Sequence, residues 1–238
     1  MLIKHNTFSF KQFTVSHSHS TMKVGTDAVL LGAWMPVPEN CKSILEIGSG
    51  CGVISLMLAQ RTKALITGVD VDEKSVEEAK KNADHSPWMN RVRFFQERIQ
   101  DFSKKTSDKF DVIVSNPPFF ENSLKSPISK RNISKHNDSL TFQELANAVD
   151  TLLTQTGHFG LIMPVNSAVA FEKIMLSLKF FATKKTWIYP TQKKNANRIL
   201  MLFERIPNNC EEKSLIIRDK GYTNEYFELV REYLTIKN

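Results

Sequence analysis

Cysteine is scarce in this chain and long apolar runs are missing. Its 238 residues hold three cysteines, at 41, 51 and 210. An odd number without paired spacing excludes both a disulfide framework and a zinc ribbon, and fits a reducing compartment. His17-Ser-His19 has no further ligand-spaced Cys, Asp or His around it, so no metal is expected. No stretch approaches the roughly 18 apolar residues that span a bilayer, and the first residues, Met1-Leu-Ile-Lys-His-Asn, lack a secretory apolar core. A cytoplasmic protein is expected. Hydrophobic residues make up 41% and charged residues 24%, the balance of an ordinary globule. There is no internal repeat and no sign of a second domain. The length suits one α/β domain over 1–238, with an N-terminal extension over 1–42 and a basic insertion over 120–137.

Glycine is also scarce, nine residues in all, yet three of the nine lie within five positions. They sit in Ser43-Ile-Leu-Glu46-Ile-Gly48-Ser-Gly50-Cys-Gly52, followed by Val53-Ile-Ser-Leu-Met-Leu-Ala-Gln60. An apolar strand, a glycine turn and an apolar helix in succession allow backbone to approach a ligand at a helix N-terminus. Cys51 inside the turn is read as packing. The next apolar run, Ala64 to Val69, ends at Asp70, about 20 residues on, where a carboxylate can accept ribose hydroxyls. A nucleoside cofactor is implied. A dinucleotide fingerprint would place glycine or alanine at 53, where valine stands, and the carboxylate of Glu46 beside the turn would repel a pyrophosphate while suiting a cationic sulfonium. The reading is S-adenosylmethionine, with NAD as the alternative.

A third apolar run, Phe110 to Ser115, stops abruptly at Asn116-Pro117-Pro118-Phe119. Two prolines end a buried strand and deliver rigid backbone to a sheet edge, where open α/β sheets bind ligands. Asn116 offers a side-chain carbonyl, Pro117 a main-chain carbonyl and Phe119 an aromatic face. Two acceptors and a stacking plane suit a planar group bearing an NH2. Around these motifs, strands and helices alternate as in a parallel sheet covered on both faces. A helix is expected near Glu73 to Asp84, a strand near Val92 to Gln96, a helix capped by Ser139 or Thr141, a strand over Gly157 to Met163, and a final antiparallel hairpin near 186–189 and 199–203.

Taken together, Glu46-x-Gly-x-Gly-x-Gly52, Asp70 and Asn116-Pro-Pro-Phe119 resemble the motifs of class I amino-methyltransferases acting on adenine N6 or glutamine N5. The stretches Phe8-Ser-Phe-Lys-Gln-Phe13 and Met22-Lys-Val-Gly-Thr26-Asp27-Ala-Val-Leu-Leu-Gly32-Ala-Trp34 are similar to the bacterial tRNA1(Val) adenine-N6 methyltransferases. So are Ser86-Pro-Trp88 and the Arg131 to His136 stretch. The resemblance implies a Rossmann-like α/β fold with a mostly parallel seven-stranded sheet and an antiparallel final hairpin. It further implies cofactor contacts at Thr26, Glu46, Gly48, Gly50, Gly52, Asp70, Val71, Arg98 and Ile99, catalysis at Asn116, Pro117 and Phe119, and adenosine 37 of tRNA1(Val) as the target. One departure stands out. Arg98 occupies the place of an aspartate that would read the adenine amino group, and arginine cannot accept that bond; Glu97 or backbone around Arg98 and Ile99 would have to substitute.

The chain's formal charge is +7, and residues 121–205 hold 12 Lys and Arg against 6 Asp and Glu, a net +6. A phosphate-binding rim for tRNA is expected at Lys130, Arg131 and Lys135 in the insertion and at Lys193, Lys194 and Arg198 in or beside the final hairpin connection. Two alternatives stay open: a glutamine-N5 methyltransferase acting on a protein such as a release factor, whose amide the same Asn-Pro-Pro geometry would hold, and a nonenzymatic RNA-binding module.

Overall fold

Apolar runs that are hydrophobic on both sides pair only where both sheet faces are covered, and that condition sets the architecture. The computed structural model describes residues 6–20, 23–117 and 140–235. Pro118, Phe119, Lys130, Arg131 and Lys135, with the rest of the 120–137 insertion, lie outside the described residues. A short antiparallel hairpin, β1 (Thr7–Ser9) and β2 (Thr14–Ser16), precedes α1 (Thr26–Trp34). Then follow β3 (Ser43–Ile47), α2 (Val53–Arg61), β4 (Leu65–Asp70), α3 (Glu73–Asp84), β5 (Val92–Gln96), α4 (Ile99–Lys105) and β6 (Phe110–Ser115). The second half comprises α5 (Phe142–Leu152), β7 (Leu153–Pro164), α6 (Val165–Ser177), β8 (Phe181–Thr191), β9 (Arg198–Glu204), β10 (Glu211–Arg218) and α7 (Asn224–Val230).

The main sheet runs β10-β8-β9-β7-β6-β3-β4-β5. Pairing is parallel except where β9 runs antiparallel between β7 and β8. The seven expected strands and their closing hairpin are present. An eighth, β10, adds to β8 at the edge. Its sequence, Glu-Glu-Lys-Ser-Leu-Ile-Ile-Arg, has four exposed polar residues first and buries only Leu215, so no alternation announced it. Existing backbone donors and acceptors on β8 recruit it.

Two apolar layers lie on the two faces. One gathers Ile44, Val112, Val114 and Ile162 with α1, α2 and the C-terminal Tyr226 and Tyr233. The other gathers Leu45, Ile113, Phe159, Leu161 and Phe203 with α5 and α6. The β1–β2 hairpin is pinned to the first layer by aromatics: Phe10 stacks on Phe13 at 4.4 Å, and Phe13 meets the edge of Trp88 at 5.4 Å. Thr141 caps α5 in a reciprocal capping box with Glu144, which satisfies otherwise orphaned amides. Among the described residues no helix is long and apolar enough to cross a membrane.

Gly68, mid-strand in β4, has an ordinary φ but no room. A Cβ there would overlap the Phe94 ring and meet Ser49 Cβ at 2.9 Å. Gly68→Ala is expected to cost about 1–3 kcal/mol, the range for overpacking a core. Phe94→Leu in the same chain should recover part of that loss, so that the two changes are non-additive in urea unfolding. Additive costs would show that the crowding is relieved elsewhere.

Candidate active site

The sheet's direction of growth reverses between β3 and β6: the chain proceeds from β3 outward to β4 and β5, and from β6 outward the other way to β7. Diverging connections leave a crevice at the carboxyl ends of such strands. Register decides what borders it. Ile47 pairs with Ser115 and with Val69, so Gly48, Asn116 and Asp70 leave the sheet side by side. The Ser115 hydroxyl donates to the Ile47 carbonyl at 2.8 Å, fixing β6 against β3 at the last residue before the crevice.

The glycine turn is held from below. Gly48 N and Ser49 N both donate to the Val69 carbonyl, at 2.8 and 3.2 Å, and Gly52 N donates to Ser49 O at 2.8 Å. Gly48, Gly50 and Gly52 take φ of 74°, 51° and 79°, a region costly for residues with a Cβ. A Cβ at Gly48 or Gly50 would meet nothing within 4 Å, whereas one at Gly52 would strike Phe94 and Ala79. The first two glycines therefore border open space, and the third is also a packing requirement beneath the α2 N-terminus.

The carboxylates correct part of the sequence reading. Glu46 is 1% exposed and accepts from the amide and the hydroxyl of Ser55 on α2. Burial pushes its pKa up to about 8, the Ser55 hydrogen bonds opposing that rise. It braces β3 to α2, and burial favours its protonated form. Burial thus weakens the negative charge that Glu46 offers a cofactor, so the electrostatic contrast drawn between pyrophosphate and sulfonium rests on it less than on a free carboxylate. Ser55, nine residues downstream in an apolar helix, carried no sequence signal for this contact. Asp70 accepts from Gly50 N at 2.8 Å and from Asp72 N at 2.9 Å. Burial raises its pKa, against those amide bonds. Asp72 is the N-cap of α3, accepting from Ser75 N.

Asn116 is 9% exposed, and its buried Oδ1 has no hydrogen-bond partner among the described residues. Pro117 follows on the same edge. Val71 is 48% exposed beside Asp70. Arg98 is the N-cap of α4, whose first residue Ile99 is buried. The Arg98 charge helps hold the Glu144 carboxyl below its usual range, after the hydrogen bonds from Thr141 and Gln100. Glu97, one of the two alternatives for the missing aspartate beside the backbone at Arg98 and Ile99, pairs with Lys105 through Oε1. Thr26 is exposed in the first turn of α1. Lys193 and Lys194 are exposed at the turn between β8 and β9. Pro164 pairs with Arg198, so this turn lies at the carboxyl edge of the sheet, the edge of Asn116. Arg198 also has a structural partner: its Nε donates to Asp27 at 2.8 Å, making it a bracket between β9 and α1. His17 Nδ1 accepts from Val24 N, and among the described residues no three His, Cys, Asp or Glu side chains gather as metal ligands.

The raised Glu46 pKa has a sign that can be tested. The folded state keeps a proton that the unfolded state releases near 4.5, so stability from this site is full below about 4.5 and declines until about 8, as linkage requires. Glu46→Gln keeps the volume and an acceptor for Ser55 without titrating. The stability of wild type minus Glu46→Gln, from urea unfolding, should fall between pH 5 and 8 and level off above. A flat difference would mean that Glu46 is ionised throughout.

A family model described as the methyltransferase small domain matches residues 9–177. A tRNA1(Val) (adenine(37)-N6)-methyltransferase of Bacteroides fragilis is 39% identical over 229 residues, covering 95% of this chain and 96% of the relative. One of the same name from Photorhabdus laumondii is 38% identical, covering 98% and 96%. Among solved structures, a predicted O-methyltransferase from Agrobacterium tumefaciens superposes with a TM-score of 0.69 at 17% identity, covering 87% of this chain and 96% of its own. A Thermus thermophilus 16S rRNA N2 methyltransferase, solved with AdoMet and guanosine, gives 0.59 at 21% identity, covering 84% and 50%. Those two likenesses concern the fold, whereas the match along nearly the whole sequence places the relationship: the chain belongs to the tRNA1(Val) (adenine(37)-N6)-methyltransferases, within the methyltransferase small domain family.

Proposed function

We propose that this protein methylates N6 of an adenine in tRNA, adenosine 37 of tRNA1(Val) as in the names of its relatives, with S-adenosylmethionine as donor. The observation that carries the reading is the buried Oδ1 of Asn116, unpartnered among the described residues. Leaving a buried acceptor unpaired costs roughly 1–3 kcal/mol, and native proteins retain such atoms where a ligand supplies the missing donor. An amide carbonyl at the switch point calls for a hydrogen-bond donor, and an exocyclic NH2 is one.

The residues present fit the donor. Gly48 and Gly50 leave open space against the turn. Asp70 uses two of its acceptor positions on Gly50 and Asp72 and retains others for ribose hydroxyls. Val71 offers an exposed apolar side to the adenine, backbone at Arg98 and Ile99 borders the same edge, and Thr26 closes the α1 side. S-adenosylmethionine bound there supplies an electrophilic methyl group on sulfur. Asn116 Oδ1 and the Pro117 carbonyl each accept one N6 hydrogen, which turns the nitrogen lone pair out of conjugation with the ring. Phe119 stacks on the extruded base. Positioning and fixed dipoles do the work, and no general base is required, because the N6 proton becomes acidic once the nitrogen is alkylated. Lys193 and Lys194, together with Lys130, Arg131 and Lys135, form the phosphate rim, in the cytoplasm where tRNA is found.

Asn116→Ala should lower turnover on tRNA by roughly a hundredfold or more, with cofactor affinity within about threefold of wild type. Its melting temperature should be unchanged or higher, since the substitution removes an unpaired acceptor. Turnover near the wild-type level would rule out the amino-group clamp.

Substrate class is tested by methyl transfer from labelled cofactor to total tRNA and, separately, to release factor. Label should enter tRNA. In the Lys193→Ala/Lys194→Ala variant, the log-log salt slope of tRNA binding should shrink by roughly 0.7–0.9 for each phosphate no longer neutralised. Labelled release factor beside unlabelled tRNA would overturn the RNA reading in favour of glutamine N5.

A further inference from the structure

Glu78 and Asn82 lie four residues apart on α3, and so on one face of it. Both are buried, Asn82 to 4% exposure. The Asn82 amide is used almost to capacity. Its Oδ1 accepts from Ser16 N at 2.8 Å, and its Nδ2 donates to Ser16 O at 2.8 Å and to Cys51 O at 2.9 Å. It pairs with Ser16 as a neighbouring strand would, and the same nitrogen grips the carbonyl between Gly50 and Gly52. One side chain thus couples the N-terminal segment to the glycine turn.

Glu78 collects the segment that follows. Its Oε1 accepts from Ser16 Oγ at 2.8 Å and from Ser18 N at 2.7 Å, its Oε2 from Ser20 N at 2.8 Å, and His19 N reaches both at 3.2–3.3 Å. Three successive amides wrapped around an anion form a nest, here filled by the protein's own carboxylate. Burial by itself would raise the Glu78 pKa, but the bonds from Ser16, Ser20, His19 and Ser18 outweigh it and hold the pKa below the ordinary value. Downstream, Val24 N donates to His17 Nδ1 and Asp27 is tied to Arg198. Thr26 lies within this doubly anchored stretch. α1 packs beside α2, Gly32 lying against Met57, and both helices start at the carboxyl edge of the sheet.

We infer that Asn82 and Glu78 are positioning residues for methyl transfer: by holding residues 16–20 to the Cys51 carbonyl they set the glycine turn and Thr26 in register, and so complete the cofactor site. This rests on the S-adenosylmethionine reading above. The two side chains act through the turn and the segment, not on substrate. Their removal should therefore appear in the Michaelis constant for the cofactor and leave the chemical step nearly intact.

The variants are Asn82→Ala, Asn82→Asp, which sets a carboxylate against two carbonyls, and Glu78→Gln, which keeps the volume but turns an NH2 toward the nest. Each should raise KM for S-adenosylmethionine roughly tenfold or more, with kcat at saturating cofactor within about threefold and KM for tRNA unchanged. A purely structural role would instead lower the melting temperature and the active fraction with KM for the cofactor unmoved, and that result would overturn the inference. Should Asn82→Ala fail to fold, Glu78→Gln decides by the same split. Calorimetry of wild type with S-adenosylmethionine separates the levels. No binding by wild type would remove the cofactor reading and this inference together, whereas equal binding by wild type and folded variants would remove this inference alone.

Discussion

The parallel pairing of β3 with β6, in the register that sets Ile47 against Ser115, is the constraint on which the rest of the site depends. A strand shifted by one residue turns every side chain to the opposite face. Here it would exchange the two apolar layers, moving Leu45 and Ile113 from one and Ile44 and Val112 from the other. The cost of that exchange fixes the register, and the register in turn places Gly48 beside Asn116. The proximity of these two candidate site residues is thus a by-product of core packing. The Ser115 hydroxyl on the Ile47 carbonyl locks the final rung, where the ladder would otherwise fray.

A second theme is how buried carboxylates are treated. Glu46, Asp70 and Glu78 all accept from backbone amides or hydroxyls, with no cationic side chain among their hydrogen-bond partners in the described residues. The outcomes differ with the strength of burial and with the number of donors set against it. Glu46, with one serine, is driven up to about 8. Glu78, with several converging amides, is held below its ordinary value. Each acid ties two segments of backbone together: β3 to α2, the glycine turn to the end of β4, and the N-terminal segment to α3. Lys193 and Lys194, proposed above for phosphate contacts, lie elsewhere, at exposed positions. Separation of the two charge types lets the site be rigid while its rim stays adaptable.

That rigidity bears on dynamics. The glycines reach positive φ at little cost, but their freedom in the unfolded chain must be overcome. Val69 O, Asp70 and Asn82 do so from three sides, holding the turn at 48–49, 50 and 51. A preorganised turn gives up less entropy on binding a ligand, which favours affinity without any additional interaction.

Much of this was legible in the residues themselves. The strand, glycine turn and helix could be read because three scarce glycines clustered between an apolar run and an apolar helix. The end of β6 could be read because two prolines cannot continue a ladder. The α3 bounds matched the expected Glu73 to Asp84, since a capping Asp72 and helical spacing of Val76, Ala79 and Ala83 are local signals. What the sequence could not disclose depends on residues distant along the chain. Nothing near Glu46 announces that folding buries it against Ser55 of α2, nor does Arg198 advertise Asp27, 171 positions away. β10 exists only because β8 left an edge to pair with, and Asn82 matters only because folding brings Ser16 and Cys51 to the same helix face. Local chemistry and spacing determined the motifs; hydrogen bonds between distant segments, formed only once the two cores close on the sheet, decided which motif residues face a ligand and which hold the others in place.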